Sequence, residues 1–166
     1  VIGLELALIS IVGNNLGARR EDRIWRVYRL GLITAIAMTV TATIIQFAGH
    51  QLFPSWINSS EETLSVSSQV LSISAFLLTA YALIFINSGT LQGMKRPLFA
   101  MLINSVRLVA GPAVVYILVS RFAPGSLLFF WLGYGAVAWG CGLFAMWYTP
   151  GRMKRVMARE FNTPAA

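Results

Sequence analysis

The sequence predicts an all-α fold, a polytopic membrane helix bundle of about five transmembrane helices with the first of them truncated. Three observations predict it. The chain is 57% apolar and only 11% charged over 166 residues, with mean hydropathy +0.69, a balance foreign to soluble domains. Its apolar residues form runs long enough for a hydrocarbon layer of about 30 Å, which takes about 20 helical residues to cross. Its basic residues gather in alternate breaks between those runs, as the positive-inside bias requires of a multi-pass chain.

The polar stretch from Gly13 to Arg29 fixes the frame, because it carries five of the thirteen basic residues between two apolar runs. The first span, about 1–12, is short. It opens at Val1 without a basic flank or an initiator Met, so it is expected to continue upstream, and the chain reads as the C-terminal piece of a longer one. The second span, 30–52, bears no charge, and Thr34, Thr39, Thr41 and Thr43 are expected to bond their own helix carbonyls. Phe53, Pro54 and Trp56 then form an interfacial stop. Ser59 and Glu62 have capping-box spacing, so a helix should begin near Ser60.

No proline interrupts the third span, 66–91, and a helix from Ser60 to Leu91 would be about 46 Å long, so its serine-rich first turns should protrude or line water. Gln92 to Pro97 reads as a tight turn: Gly93 to end a helix, Lys95 and Arg96 as inside charges, and Pro97 to start the next helix. The fourth span, 97–118, contains Arg107, with Gly111 and Pro112 expected to kink its outer half by removing a backbone donor. The fifth, 127–147, offers Ala136/Gly140 and Ala138/Gly142 for close helix contact. Residues 149–166 read as a basic cytoplasmic tail after a bundle spanning 1–148.

On this scheme every basic residue except Arg107 and Arg121 falls on one side, taken as the cytoplasmic one, with the C-terminus there and the bundle in the cell (inner) membrane. Trp25, Tyr28, Trp56, Trp131, Trp147 and Tyr148 fall at the expected interfaces. The net charge of +7 would suggest nucleic acid in a soluble domain, but here the loops account for it, and no nucleic-acid partner is expected. The lone Cys141 permits no intrachain disulfide. The lone His50 reads as an interfacial residue, and neither a metal site nor an organic cofactor is expected. An enzyme would need paired carboxylates, a histidine cluster or an activated nucleophile, which the sequence lacks. No internal repeat is evident.

Two motifs resemble a known family. Val12 to Arg19, with Gly13, Asn14, Asn15 and Gly17 before a basic run, and Leu91 to Pro97, with Gln92 and Gly93 before Lys95 and Arg96, look like cytoplasmic loops of the multidrug and toxic compound extrusion (MATE) transporters. The first resembles the loop between the eighth and ninth helices of that family, the second the loop between the tenth and eleventh. The resemblance implies a twelve-helix antiporter of two six-helix lobes, with most of the second lobe present here and the N-terminal lobe of the same chain as its partner. It further implies export of organic cations or other amphipathic compounds in exchange for H+ or Na+. A lipid-linked oligosaccharide flippase of the same superfamily is the alternative, although its pyrophosphate would call for a more cationic interior than Arg107 supplies.

Read as residues, Gly13 and Gly17 let a helix end and turn, and Asn14 and Asn15 serve exposed helix termini. Gln92, Gly93 and Pro97 have the same structural part. Tyr81, Asn87, Asn104 and Gln46 either join neighbouring helices or line a pathway. Glu5 and Arg107 are the charges expected deep in the bilayer, at matching depth, where a lone charge is costly and needs a partner or water. They either pair with each other or leave Glu5 free to exchange a proton or cation. Many members of the family carry an acidic residue in the tenth helix, whereas Val66 to Leu91 contains no Asp or Glu. Coupling then falls to Glu5 or to a carboxylate in the other lobe.

Overall fold

A computed structural model describes residues 1–50, 52 and 61–162. Among the described residues there are five helices and no strand. Helix α1 is Ile2–Gly17, α2 is Glu21–Ala48 and α3 is Glu61–Gly93. Helix α4, Pro97–Phe122, is made of Pro97–Ser105, one π-helical turn at Val106–Ala110, and Gly111–Phe122. Helix α5 is Leu127–Asn162. The last four are long and apolar enough to cross a membrane, and α1 is a shorter apolar helix of 16 residues.

Helix α3 is the centre, packing against each of the other four. Its second half is buried nearly all round, from Ala80 through Leu83, Ile84, Ile86 and Asn87 to Leu91. The outer helices instead expose wide apolar faces, with Leu98, Met101, Val109 and Trp147 each at least 68% exposed. That distribution suits a bilayer, where the solvent is itself hydrocarbon and no apolar face has to be hidden.

Helices α1 and α3 run parallel with their backbones in near contact. A Cβ built at Gly89 would stand 2.9 Å from the Glu5 carbonyl oxygen, and one at Gly93 would stand 2.8 Å from that of Ile9. The two glycines lie one turn apart on the same face, the small-residue spacing that lets membrane helices approach. Gly93 is the last residue of α3, as expected, but what requires a glycine there is the packing against α1 and not a left-handed backbone. The left-handed residue of that turn is Lys95, at φ 62°.

The first motif is similar. Gly13 and Gly17 have helical backbones, α1 ends at Gly17 within the motif as expected, and only 18–20 lie between α1 and α2. Here Arg19, at φ 53°, is left-handed. The two turns are built alike: the N–H of Arg20 donates to Asn15 O and that of Arg19 to Leu16 O, while Arg96 donates to Leu91 O and Lys95 to Gln92 O. Each is a Schellman closure with a basic residue at the position that glycine favours.

Both turns and the C-terminal segment lie at one end of the bundle. Leu16 and Ile24 beside the first turn, Met94 in the second, and Met153, Val156 and Met157 of α5 share one buried cluster. This basic end holds Arg19, Arg20, Lys95, Arg96, Arg152, Lys154 and Arg155, while Arg121 lies at the opposite end. Helix α5 passes Pro150 and Gly151 and stays helical to Asn162. At 1.5 Å per residue its 36 residues reach about 54 Å, beyond the thickness of the hydrocarbon layer.

Other details differ from expectation. The second helix begins at Glu21 and closes on Gly49, displaced toward the chain start from 30–52. Thr39 and Thr41 bond their own helix, but Thr43 donates to Ala75 O of α3, and Gln46 donates to Leu71 O and to Ser74. Tyr28 is no interfacial anchor; it is buried and bonded across the bundle. Ala138 and Gly142 meet α3, where a Cβ at Gly142 would stand 3.0 Å from Ala80 O, whereas Ala136 and Gly140 are exposed. The disturbance near Pro112 takes the form of a π turn, with Gly111 N–H reaching back to Val106 O. Phe53, Pro54, Trp56 and the Ser59/Glu62 capping box lie outside the described residues or side chains.

Candidate functional site

Polar side chains inside the bundle gather along α3. At the level of Gly89, the half-buried Glu5 lies with its Cγ and backbone against the glycine, and its Oε1 accepts a hydrogen bond from Gln92 Nε2 at 3.2 Å. Gln92 follows Gly89 by three residues and so shares its face of α3. The missing Cβ at Gly89 lets α1 in, and the side chain beside the gap meets the carboxylate. A charged or protonated Glu5 could accept this bond, which is what a site alternating between the two states needs.

One to two turns deeper, Arg107 is buried, only 8% exposed, with its guanidinium carbon 4.8 Å from the centre of the Tyr81 ring and 5.4 Å from that of Phe85. Its Nη2 donates to Asn104 Oδ1 at 3.3 Å, and its Nε has no hydrogen-bond partner. The two rings lie four residues apart on α3, so they form one aromatic wall. A guanidinium against aromatic faces in a desolvated site is held by the ring quadrupoles, a cation–π contact. The π turn carries Arg107 itself, and the extra residue in that turn alters which way its side chain faces.

Tyr81 hydroxyl also donates to the Tyr134 hydroxyl at 3.0 Å, tying α3 to α5. Asn87 is fully buried, accepting from the Tyr28 hydroxyl at 2.9 Å and donating to Leu83 O. Asn104 joins Arg107 to Ala100 O within α4. Asn14 sits exposed near the end of α1, and its carbonyl closes the turn by accepting from Ala18 N–H.

The structure thus brings Glu5 together with Gln92 and Gly89, and Arg107 together with Tyr81, Phe85 and Asn104. No ion pair among the described residues joins Glu5 to Arg107; each has its own partners. Their depths differ, because Gly89 lies one turn beyond Phe85 and two beyond Tyr81 along α3, about 6–12 Å. Depths counted from Gly13 and Pro97 mislead, since α1 continues past Gly13 and extends farther at the basic end than α3. Gln92 as the partner of Glu5, Gly89 as its seat, and Phe85 and Tyr134 beside Tyr81 were not singled out from the sequence. The spacing of Gly89, Gln92 and Gly93 was the available signal.

Residues 1–117 match the family MatE, the group whose loop motifs the two turns resemble. The chain belongs to the MatE family. It is a multi-pass membrane protein of a transporter family, and the matched region takes in α1 to α3 and most of α4, hence Glu5, Tyr81, Asn87, Gln92 and Arg107. No curated protein and no solved structure matches the chain.

Proposed function

We propose that the protein is a secondary active antiporter of the MatE family that exports organic cations or other amphipathic compounds in exchange for H+ or Na+ by alternating access. The observation that carries the reading is Glu5: a half-buried carboxylate in an apolar helix, seated on Gly89 and bonded to a neutral amide instead of an arginine. A carboxylate neutralised by a tight ion pair resists protonation, whereas one held by a single neutral donor can exchange a proton or a cation. Intramembrane carboxylates are costly and mark ion pathways by default. In this reading the N-terminal lobe of the full-length protein provides the other wall of the substrate path, and no organic cofactor takes part. The basic end faces the cytoplasm of the cell (inner) membrane, on the positive-inside bias.

The test uses the full-length protein in cells and in inverted vesicles. Accumulation of a lipophilic cation should fall when the protein is expressed, and the difference should vanish when the proton and sodium gradients are dissipated. Unchanged accumulation across a panel of cations, together with gradient-independent transfer of a lipid-linked oligosaccharide, would replace this reading with the flippase one.

A further inference from the structure

We infer that the outer face between α4 and α5 at the basic end is a binding site for one anionic glycerophospholipid. The phosphate would be held by Lys95, Arg96 and Arg152, and one acyl chain would lie in the groove below. The turn after α3 presents Lys95 in the left-handed conformation beside an exposed Arg96, and α5 brings the half-buried Arg152 to the same place. Together they line a cavity of about 230 Å³ whose inner wall includes Phe99, Leu102 and Tyr148. No described residue lining it is Asp or Glu, and among the described residues none of the three cations has an ion-pair partner. Three convergent cations without a counter-ion, on a concave surface at a membrane boundary, complement a phosphate headgroup.

Directly below, a second cavity of about 460 Å³ shares Phe99, Leu102 and Tyr148 with the first and continues to Val106 and Cys141 with an almost wholly apolar lining. Its walls are aromatic: the Tyr148 ring stacks on Phe99 with centroids 4.8 Å apart and planes within 2°, and Phe144 stacks on both. Val106 lies nine residues along α4 from Pro97, about 14 Å. That is close to half of the roughly 30 Å hydrocarbon layer, the depth of one leaflet. A free phosphate would use the upper cavity alone. The continuous lower groove, of one leaflet's length, commits the site to a lipid.

Native mass spectrometry of the full-length protein, equilibrated with phosphatidylglycerol in a phosphatidylcholine background, tests this. The unaltered protein should retain phosphatidylglycerol selectively. Each of K95Q, R96Q and R152Q should lower that retention about fivefold, the scale of one basic residue at an anionic surface. Gly140 lines the lower groove and has open space where a side chain would project, so G140F should plug it and lower retention while leaving the cations in place. Monodispersity in phosphatidylcholine is the folding control. Equal loss in K154Q/R155Q, whose side chains lie outside both cavities, would overturn the inference by showing unspecific attraction. Unchanged retention in G140F, or full displacement by inorganic phosphate, would overturn it in favour of a simple anion site.

Discussion

Glu5 takes its hydrogen bond from Gln92, at 3.2 Å, while Arg107, the other interior charge, is stacked on Tyr81 and bonded to Asn104. The two charges are handled by separate devices on the same helix, so they should be separable by mutation. Glu5→Gln keeps the size of the side chain and an oxygen that can accept from Gln92, so insertion and thermal stability should stay close to those of the parent. Gradient-coupled export should be lost. Retention of driven export in that variant, at normal abundance in the membrane, would remove Glu5 from the coupling path. Arg107→Gln should behave in the opposite sense, lowering stability through the emptied aromatic wall.

The parallel contact of α1 and α3 predicts an asymmetry among glycines. Gly93→Ala would push a methyl to within 2.8 Å of the Ile9 carbonyl and 2.9 Å of Val12 Cβ, both part of a packed neighbour. It should cost about 1–3 kcal/mol, the range for overpacked sites. Gly17→Ala, with open space around it and an ordinary helical backbone, should be neutral or slightly stabilising. Thermal denaturation in detergent distinguishes them, and equal effects would mean that the α1–α3 contact is looser than described.

The bundle was legible from the sequence because hydropathy and charge fix the number of spans and their common end. The motifs were legible as turns but not in their mechanics. A glycine before a basic pair serves either a left-handed backbone or a close helix approach, and a single sequence does not separate the two uses. Here Arg19 and Lys95 take the left-handed positions while Gly93 gives way to α1. The basic residues after Tyr148 read as a tail, yet α5 continues to Asn162 because Met153, Val156 and Met157 return at helical spacing to the Leu16 and Ile24 cluster. Which helix faces which was the missing information, and it hid the partnership of Glu5 with Gln92.

That continuation makes the C-terminal segment a structural part of the bundle. Met153→Asp would place a carboxylate in a fully buried site with no described cation bonded there, so folded yield should fall sharply. Lys154→Ala, on the exposed side of the same turn, should change stability by less than about 0.5 kcal/mol. Detergent-solubilised yield measured by size exclusion reads both. If Met153→Asp matched the parent, the segment would not be packed against the two turns.

The common end of both turns and the tail can be tested in intact cells by single-cysteine labelling with Cys141 replaced. Cysteines at exposed Lys95 and Lys154 should share one accessibility, and a cysteine at exposed Arg121 should show the other. Labelling of positions 95 and 121 from the same side would overturn the five-helix topology.

The aromatic wall under Arg107 gives a prediction in which two substitutions at one position diverge. Tyr81 does two things: its ring face meets the guanidinium at 4.8 Å, and its hydroxyl donates to Tyr134 at 3.0 Å. Tyr81→Phe keeps the face and removes the hydroxyl, leaving the half-buried Tyr134 without that bond; interhelical hydrogen bonds in membrane bundles are worth about 0.6 kcal/mol on average. Tyr81→Leu removes the quadrupole as well. A desolvated cation–π contact is worth up to about 2 kcal/mol, and the Phe85 ring at 5.4 Å recovers only part of it. The Leu variant should therefore be less stable than the Phe variant by about 1 kcal/mol or more. Arg107→Lys should lose a comparable amount, because an ammonium has neither the planar face for the rings nor the fork that reaches Asn104 Oδ1. In the Arg107→Lys background the gap between Tyr81→Leu and Tyr81→Phe should shrink. A double-mutant cycle on unfolding free energies in mild detergent measures it, and an undiminished gap would mean that Tyr81 acts through packing alone.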